Sequence, residues 1–262
     1  MNWGSKMKSL YISGVVILLL LLIGVPVYFK YFDKAPSCFD NKQNQDEIGV
    51  DCGGDICTKL CAFQARDPII SFERLYEASS GNYTAIALVE NPNQGVFSRN
   101  ISYVFKIYDK DNVLLFEIPG TTFAPPGRTF PIFASQILTG NRIASKVTFA
   151  IAGGAAIEWQ KSAWTEPNVK VTNIKTSVVN GRSRIEADIT NSEVYTIKNL
   201  QVAAVVYDKN GNAAEASATT VASISPLRST HIVFAWNSEF AFDVGKIDII
   251  PRPVPRDWET AN

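Results

Sequence analysis

The chain has 262 residues, 46% of them hydrophobic, with 25 basic and 25 acidic side chains that cancel. That length suggests one large or two ordinary domains, and 11% aromatic against only 19% charged residues exclude a wholly disordered chain. Zero net charge without a basic stripe offers no long-range attraction to nucleic acid, and a single histidine, His231, removes most metal sites and nearly all histidine-dependent catalysis.

From Leu10 to Phe29 the sequence carries no charge. A helix of that length spans about 30 Å, the hydrocarbon thickness of a bilayer. Pro26 lies near its outer end, and Tyr28, Tyr31 and Phe32 with Lys30 suit the interface. The alternative is a removed signal peptide, whose apolar core is about 7–15 residues ahead of a small-x-small cleavage site. This core is longer and Gly24-Val-Pro26 makes a poor site, so an uncleaved anchor is expected. Lys6 and Lys8 before the span nearly balance Lys30 and Lys34 after it, and the free amino terminus tips the orientation to N-terminus inside. Residues 1–9 are then a cytoplasmic N-terminus and 10–29 the membrane helix.

A juxtamembrane module follows over 30–66, holding all four cysteines, Cys38, Cys52, Cys57 and Cys61. An even number packed into a short Gly- and Asx-rich stretch beyond a span reads as two disulfides and an extracytoplasmic address. So small a piece buries too little apolar surface to fold without covalent closure. Three pairings are possible, and the spacing does not choose among them. A four-thiolate zinc site would favour two C-x2-C knuckles, which are missing. Calcium is a further alternative, because Asp40, Asn44, Asp46 and Asp51 offer hard oxygen ligands. However, Lys42 stands where an EF-hand needs a ligand, the central glycine is missing, and turn capping suits these side chains better.

The residues Cys38, Asp40, Asn44, Glu47, Gly49, Val50, Asp51, Cys52, Gly53 and Gly54 match a motif of the form C-x-D-x3-N-x2-E-x-G-V-D-C-G-G-x-C, with one extra residue before Cys57. The stretch resembles a short cysteine motif of microbial surface proteins. That resemblance covers about a tenth of the chain and implies a location outside the cytoplasm rather than an activity.

The rest repeats itself at offsets of 99 or 100 residues. ALVENPN from Ala87 lies over ADITNSE from Ala187, ISYVFKIYDKDN from Ile101 over LQVAAVVYDKNG from Leu200, and Pro126-Gly-Arg128 over Pro226-Leu-Arg228. Two tandem domains are expected, at 67–161 and 165–258, with a junction near 156–168. Ile101, Tyr103, Phe105 and Ile107 alternate with Ser102, Val104, Lys106 and Tyr108, and Leu200, Val202, Ala204 and Val206 repeat the first set. Period two places one set on a buried face. Further strands are expected near 69–77, 83–90, 113–118, 129–133 and 145–151, with counterparts near 169–177, 183–190, 213–220, 230–236 and 245–250. Short strands with turns every 8–12 residues describe antiparallel sandwiches.

Phe105-Lys-Ile-Tyr108-Asp109 and its counterpart Ala204-Val-Val-Tyr207-Asp208, with the Pro126-Gly127-Arg128 corner, resemble the FxLYD type of immunoglobulin-like domain, related in shape to fibronectin III sandwiches. The second copy lacks the Phe and the Gly. The resemblance implies extracytoplasmic, non-catalytic domains. The expected fold is therefore mainly β, with one N-terminal transmembrane helix, a small disulfide-rich module and two immunoglobulin-like sandwiches.

No nucleophile elbow, zincin helix, P-loop or dinucleotide fingerprint is present, and Gly153-Gly154 lacks the context of a phosphate cradle. Tyr108, Asp109, Tyr207 and Asp208 suit strand ends and turns, and Trp159, Trp164, Trp236 and Trp258 suit packing. Asn82-Tyr-Thr84 and Asn100-Ile-Ser102 are glycosylation sequons. The expected protein is no enzyme and takes no cofactor. It is a single-pass membrane protein, N-terminus inside, whose exterior sandwiches bind or scaffold other envelope proteins. The alternatives are a structural subunit of a pilus, secretion or division assembly, and a carbohydrate-binding or hydrolase accessory module. A small-molecule ligand is not legible.

Overall fold

The computed structural model describes residues 3–31, 37–61, 65–151, 157–161 and 166–255. Two compact units divide the chain at Cys57/Thr58. Phe32, Lys34, Gly153-Gly154, Trp164 and Trp258, the side chains of Lys30 and Tyr31, and parts of the expected domain junction lie outside the described residues.

In the first unit, α1 (Trp3–Tyr31) contains an apolar stretch, Leu10–Tyr28, long enough to cross a membrane and exposed along its whole length. Leu, Ile and Val all round the helix leave no polar face to wet. Pro26 sits within α1, and the helix continues past it to Tyr31.

Residues 37–57 form a turn-rich module with one short bridge, Gly49 to Cys52. Its carboxylates do the work of secondary structure. Asp51 accepts from the amides of Asp40 and Asn41, and Asp40 from the Lys42 amide and the Asn44 side chain. Asp46 accepts from the amides of Asp55 and Ile56, which holds its carboxyl below the usual range. Gly54 is obligatory: its φ is +82°, and a Cβ there would strike the Asp46 carbonyl oxygen. A disulfide joins Cys38 to Cys57 across 19 residues; Cys52 and Cys61 are also disulfide-bonded and no cysteine is free. Closing a loop of that size removes about 3 kcal/mol of unfolded-state freedom. Cys38→Ser should therefore melt the amide-to-carboxylate turns of 37–57 while the sandwich strands keep their protection. Hydrogen exchange read by mass spectrometry checks this, and protection unchanged at residues 40–56 would refute it.

Among the described residues the second unit holds twelve long strands in two matching sets. The first set is β1 (Ile69–Ser79), β2 (Asn82–Glu90), β3 (Val96–Asp109), β4 (Leu114–Ala124), β5 (Thr129–Leu138) and β6 (Ala144–Ile151). After the two-residue β7 (Gln160–Lys161), the second set is β8 (Val169–Val179), β9 (Arg182–Asn191), β10 (Ile197–Asp208), β11 (Ala213–Ile224), β12 (Ser229–Ala235) and β13 (Val244–Arg252). Sheet β1-β2-β5 faces sheet β4-β3-β6, and β8-β9-β12 faces β11-β10-β13, all antiparallel. Four antiparallel sheets thus form two sandwiches with the same strand order, as the 100-residue repeat requires. Strands β3, β4 and β5 run several residues beyond the segments expected from alternation.

Alternation explains each core. Ala85, Ala87 and Val89 of β2 meet Ile101, Phe105 and Ile107 of β3, and Trp159 joins them. Ile185, Ala187 and Ile189 of β9 meet Leu200, Val202, Ala204 and Val206 of β10. Tyr103 is only half-buried, its ring lying across Gly120 of the paired strand.

One corner recurs in both copies. Asn91, just after β2, and Asn191, the last residue of β9, are 0% exposed. Asn91 Nδ2 donates to the carbonyls of Val96 (2.7 Å) and Pro125 (2.8 Å), and Asn191 Nδ2 to those of Tyr195 (2.8 Å) and Ile224 (2.9 Å). Their Oδ1 atoms accept from the amides of Asn93 and Glu193. The amides of Asn91 and Asn191 in turn bond the carbonyls of Arg128 and Arg228. The residue two positions on clamps the incoming chain: Asn93 to the backbone of Arg66, Glu193 to the amide of Asn168.

The turn facing this corner needs a left-handed residue. Gly127 supplies it at φ +56°, whereas Leu227 is forced to φ +55° with an exposed side chain. Relieving that strain, about 1–2 kcal/mol, outweighs the extra chain freedom of glycine, about 0.4–1 kcal/mol. Leu227→Gly should stabilise the second sandwich by up to about 1 kcal/mol in urea unfolding, and a loss of stability would contradict this account.

Candidate binding cleft between the two sandwiches

The two sandwiches are fused through unlike faces. Ile86 of β2, with Phe72, Tyr76 and Phe133, packs against Val205 of β10, with Ala213, Ala216, Tyr207 and Ile250. The outer face of β1-β2-β5 therefore meets the outer face of β11-β10-β13. The repeat explains why these two faces and not the others are joined. The position of Ile86 is held by Glu186 in the second copy, and that of Val205 by Lys106 in the first. Charges on the two free faces stop the head-to-tail contact from propagating.

Polar bonds border this contact. The Tyr76 hydroxyl donates to the Ala213 carbonyl (3.0 Å) and Asn237 Nδ2 to the Ala78 carbonyl. Burial, with Glu215 nearby, pushes the Tyr76 hydroxyl up. Burial also raises the Glu215 carboxyl, although it accepts from Trp236 Nε1 at 3.2 Å. A carboxyl raised on folding adds stability that is complete below its unfolded value, about 4.3, and lost as pH rises through its folded value. Glu215→Gln, which cannot ionise, should therefore match the parent in acid and exceed it at neutral pH. Urea midpoints at the two pH values check this, and an equal gain at both would refute it.

The decisive group is Arg252, at the end of β13. It is 8% exposed, yet its carrier strand belongs to the second sandwich and its partners to the first. Nη1 donates to the Pro131 carbonyl (2.9 Å), and Nη2 to the Phe123 carbonyl (2.9 Å) and Thr122 Oγ1 (3.0 Å). The guanidinium carbon stands 4.5 Å from the Phe123 ring centre and 5.1 Å from that of Phe130. Because β4 and β5 are edge strands of the two sheets of the first sandwich, Arg252 caps free edge carbonyls on both. Every one of these oxygens is neutral, and among the described residues Nε has no hydrogen-bond partner. Burial pulls the guanidinium down to about 10, so it remains charged at neutral pH.

Beside it opens a cavity of about 320 Å³, lined from both sandwiches by Tyr103, Thr121, Ser135, Gln201, Thr220 and Arg252 among others. That volume is at the small end of ligand sites. Hydroxyls, one amide and the guanidinium converge there.

The residues singled out in the sequence lie elsewhere. Asp109 Oδ1 accepts from the amides of Asp111 and Val113, and Asp208 Oδ1 from those of Asn210 and Asn212, closing the β3–β4 and β10–β11 hairpins. The Asn212 side chain holds the Asp208 carboxyl below its usual range. Phe105 is in the first core, Tyr108 is half-buried, and Tyr207 packs at the sandwich contact with Lys246 5.5 Å over its ring. His231 is exposed on β12, 2.9 Å from Asp188. Trp236 packs edge-on against Phe240. Asp40, Asn44, Asp46 and Asp51 serve local turns. Among the described residues, the three potential ligand atoms that do cluster are those of Cys38, Glu47 and Cys57, and two of them are disulfide sulfurs. Arg252 was missed because a single Arg in RPVP carries no periodic or motif signal.

No protein family matches the chain, and no curated protein matches it either. Among solved structures it is similar to red sea bream transglutaminase at 10% identity and a TM-score of 0.19, over 70% of this chain and 29% of that one. The chain thus spans under a third of that enzyme, and so slight a likeness carries no argument. The apolar helix, a membrane span or a signal, together with the disulfides marks a secreted or membrane-anchored extracytoplasmic protein.

Proposed function

We propose that this is a non-catalytic binding or scaffold protein, anchored by an uncleaved single-pass helix with its N-terminus inside. Its two immunoglobulin-like sandwiches, of the FxLYD type, stand outside the membrane. The observation that carries this reading is the fusion of the sandwiches into one body with a cleft at their junction. Interfaces of that kind fix the geometry of a binding site instead of leaving two domains to move independently. The motif copies ending in Asp109 and Asp208 support the family assignment, since both close the same hairpin. Other envelope proteins are the expected partners.

Crosslinking in intact membranes, followed by affinity purification of the full chain, tests the reading. A stoichiometric set of exterior partners is expected, and recovery of the chain alone at every crosslinker concentration would overturn it. Membership of a larger envelope assembly is favoured by one further feature. The edge strand β8 exposes the apolar side chains of Ile174, Val178 and Val179, and a partner strand can pair along such an edge.

A further inference from the structure

The cavity beside Arg252 deepens the binding reading and rests on it. A guanidinium that is nine-tenths buried is ordinarily matched by a carboxylate, because an unpaired buried charge costs several kcal/mol. Here the three bonded acceptors are two carbonyls and a hydroxyl, and no acidic group approaches within ion-pair distance among the described residues. The cleft beside this guanidinium leaves room for an anion from outside the chain.

The rest of the lining narrows its chemistry. Thr121, Ser135 and Thr220 present hydroxyls and Gln201 an amide, and Tyr103 also lines the cavity. These groups both donate and accept, which suits a ligand carrying several hydroxyls of its own. An extended acidic peptide fits less well. The outward carbonyls of Pro131 and Phe123, where a partner strand would pair, are already taken by Arg252. A compact ligand does not need them.

The geometry points to a sugar acid of the hexuronate class as the ligand of this cleft, its carboxylate facing Arg252 and its hydroxyls the Thr, Ser and Gln side chains. Such a carboxylate would face a cation held in place before binding, so little ordering is required of the protein.

Calorimetric titration of the full chain in lipid nanodiscs with glucuronate tests the proposal, with glucose, inorganic phosphate and the capped peptide acetyl-Gly-Glu-Gly-amide titrated at equal ionic strength. Saturable glucuronate binding is expected, with glucose, phosphate and peptide each at least about tenfold weaker. Arg252→Lys should weaken it about tenfold, since an ammonium cannot hold the Pro131, Phe123 and Thr122 oxygens and face a ligand at once. Because Arg252 also pins the sandwiches, Gln201→Ala with Thr220→Val, both exposed positions, provides a second variant that should weaken binding by a similar factor. Absence of saturable glucuronate binding would overturn the proposal. So would equal affinity for phosphate or the peptide, or glucuronate affinity unchanged in the Gln201/Thr220 variant. None of these results bears on partner capture by crosslinking, so failure of the ligand class and failure of the scaffold reading are separate.

Discussion

Asn191→Ala should destabilise the second sandwich by about 3–5 kcal/mol, a large share of the total for a domain of this size. The side chain is small, but it is fully buried and its amide joins three chain segments. Nδ2 bonds the carbonyls of Tyr195 and Ile224 and lies 3.2 Å from that of Ser225, while Oδ1 accepts from the Glu193 amide. Alanine replaces none of these bonds, and each buried group left without a partner costs about 1–3 kcal/mol. Asn91→Ala should act alike in the first sandwich, where the same amide bridges Val96 and Pro125. Asn191→Asp is expected to do no better than alanine, because a carboxylate would face the two carbonyls with no proton to donate. Urea unfolding followed by circular dichroism measures the effect, and a loss below about 1 kcal/mol would show that the corner is held by its backbone bonds alone.

The second large effect is expected from Arg252→Met. Methionine keeps most of the packing against Phe123 and Phe130 but leaves Pro131 and Phe123 without a donor at the sandwich contact. Losing charge-assisted bonds of about 1.5–3 kcal/mol each opposes the relief of no longer burying an unpaired cation. Three bonds outweigh one desolvated charge, so the net loss should be about 2–4 kcal/mol. Its signature matters more than its size. Calorimetry of the parent should give one cooperative transition for both sandwiches, and Arg252→Met should resolve it into two. Arg252→Lys should fall between them. A single undivided transition in the Met variant would show that the apolar contact of Ile86 and Val205 suffices to couple the sandwiches.

Much of this molecule follows from local pattern. The uncharged run from Leu10 is a helix because nothing polar interrupts it. The period-two rows of β3 and β10 are buried as expected at Ile101, Phe105 and Ile107 and at Leu200, Val202, Ala204 and Val206. The Asp109 and Asp208 turns close where Asx chemistry places them. The repeat at 99 or 100 residues guarantees that both halves share a topology, whatever that topology is.

Other features depend on partners distant in the chain. Ala203 and Val205 are as buried as the core row of β10, although alternation turns them outward, because the first sandwich covers them. Asn91 and Asn191 stand in matched segments of the repeat, yet their burial becomes visible only once the turn before β5 or β12 folds back over them. The pairing of Cys38 with Cys57 needed the Asp46 and Asp51 turns to bring them together. Element type, repeat and address were thus properties of the sequence alone, since they rest on the spacing of apolar and turn-forming residues along the chain. Which faces join, and where an unmatched guanidinium comes to lie, were decided by tertiary packing, because burial and charge compensation depend on neighbours that no local window contains.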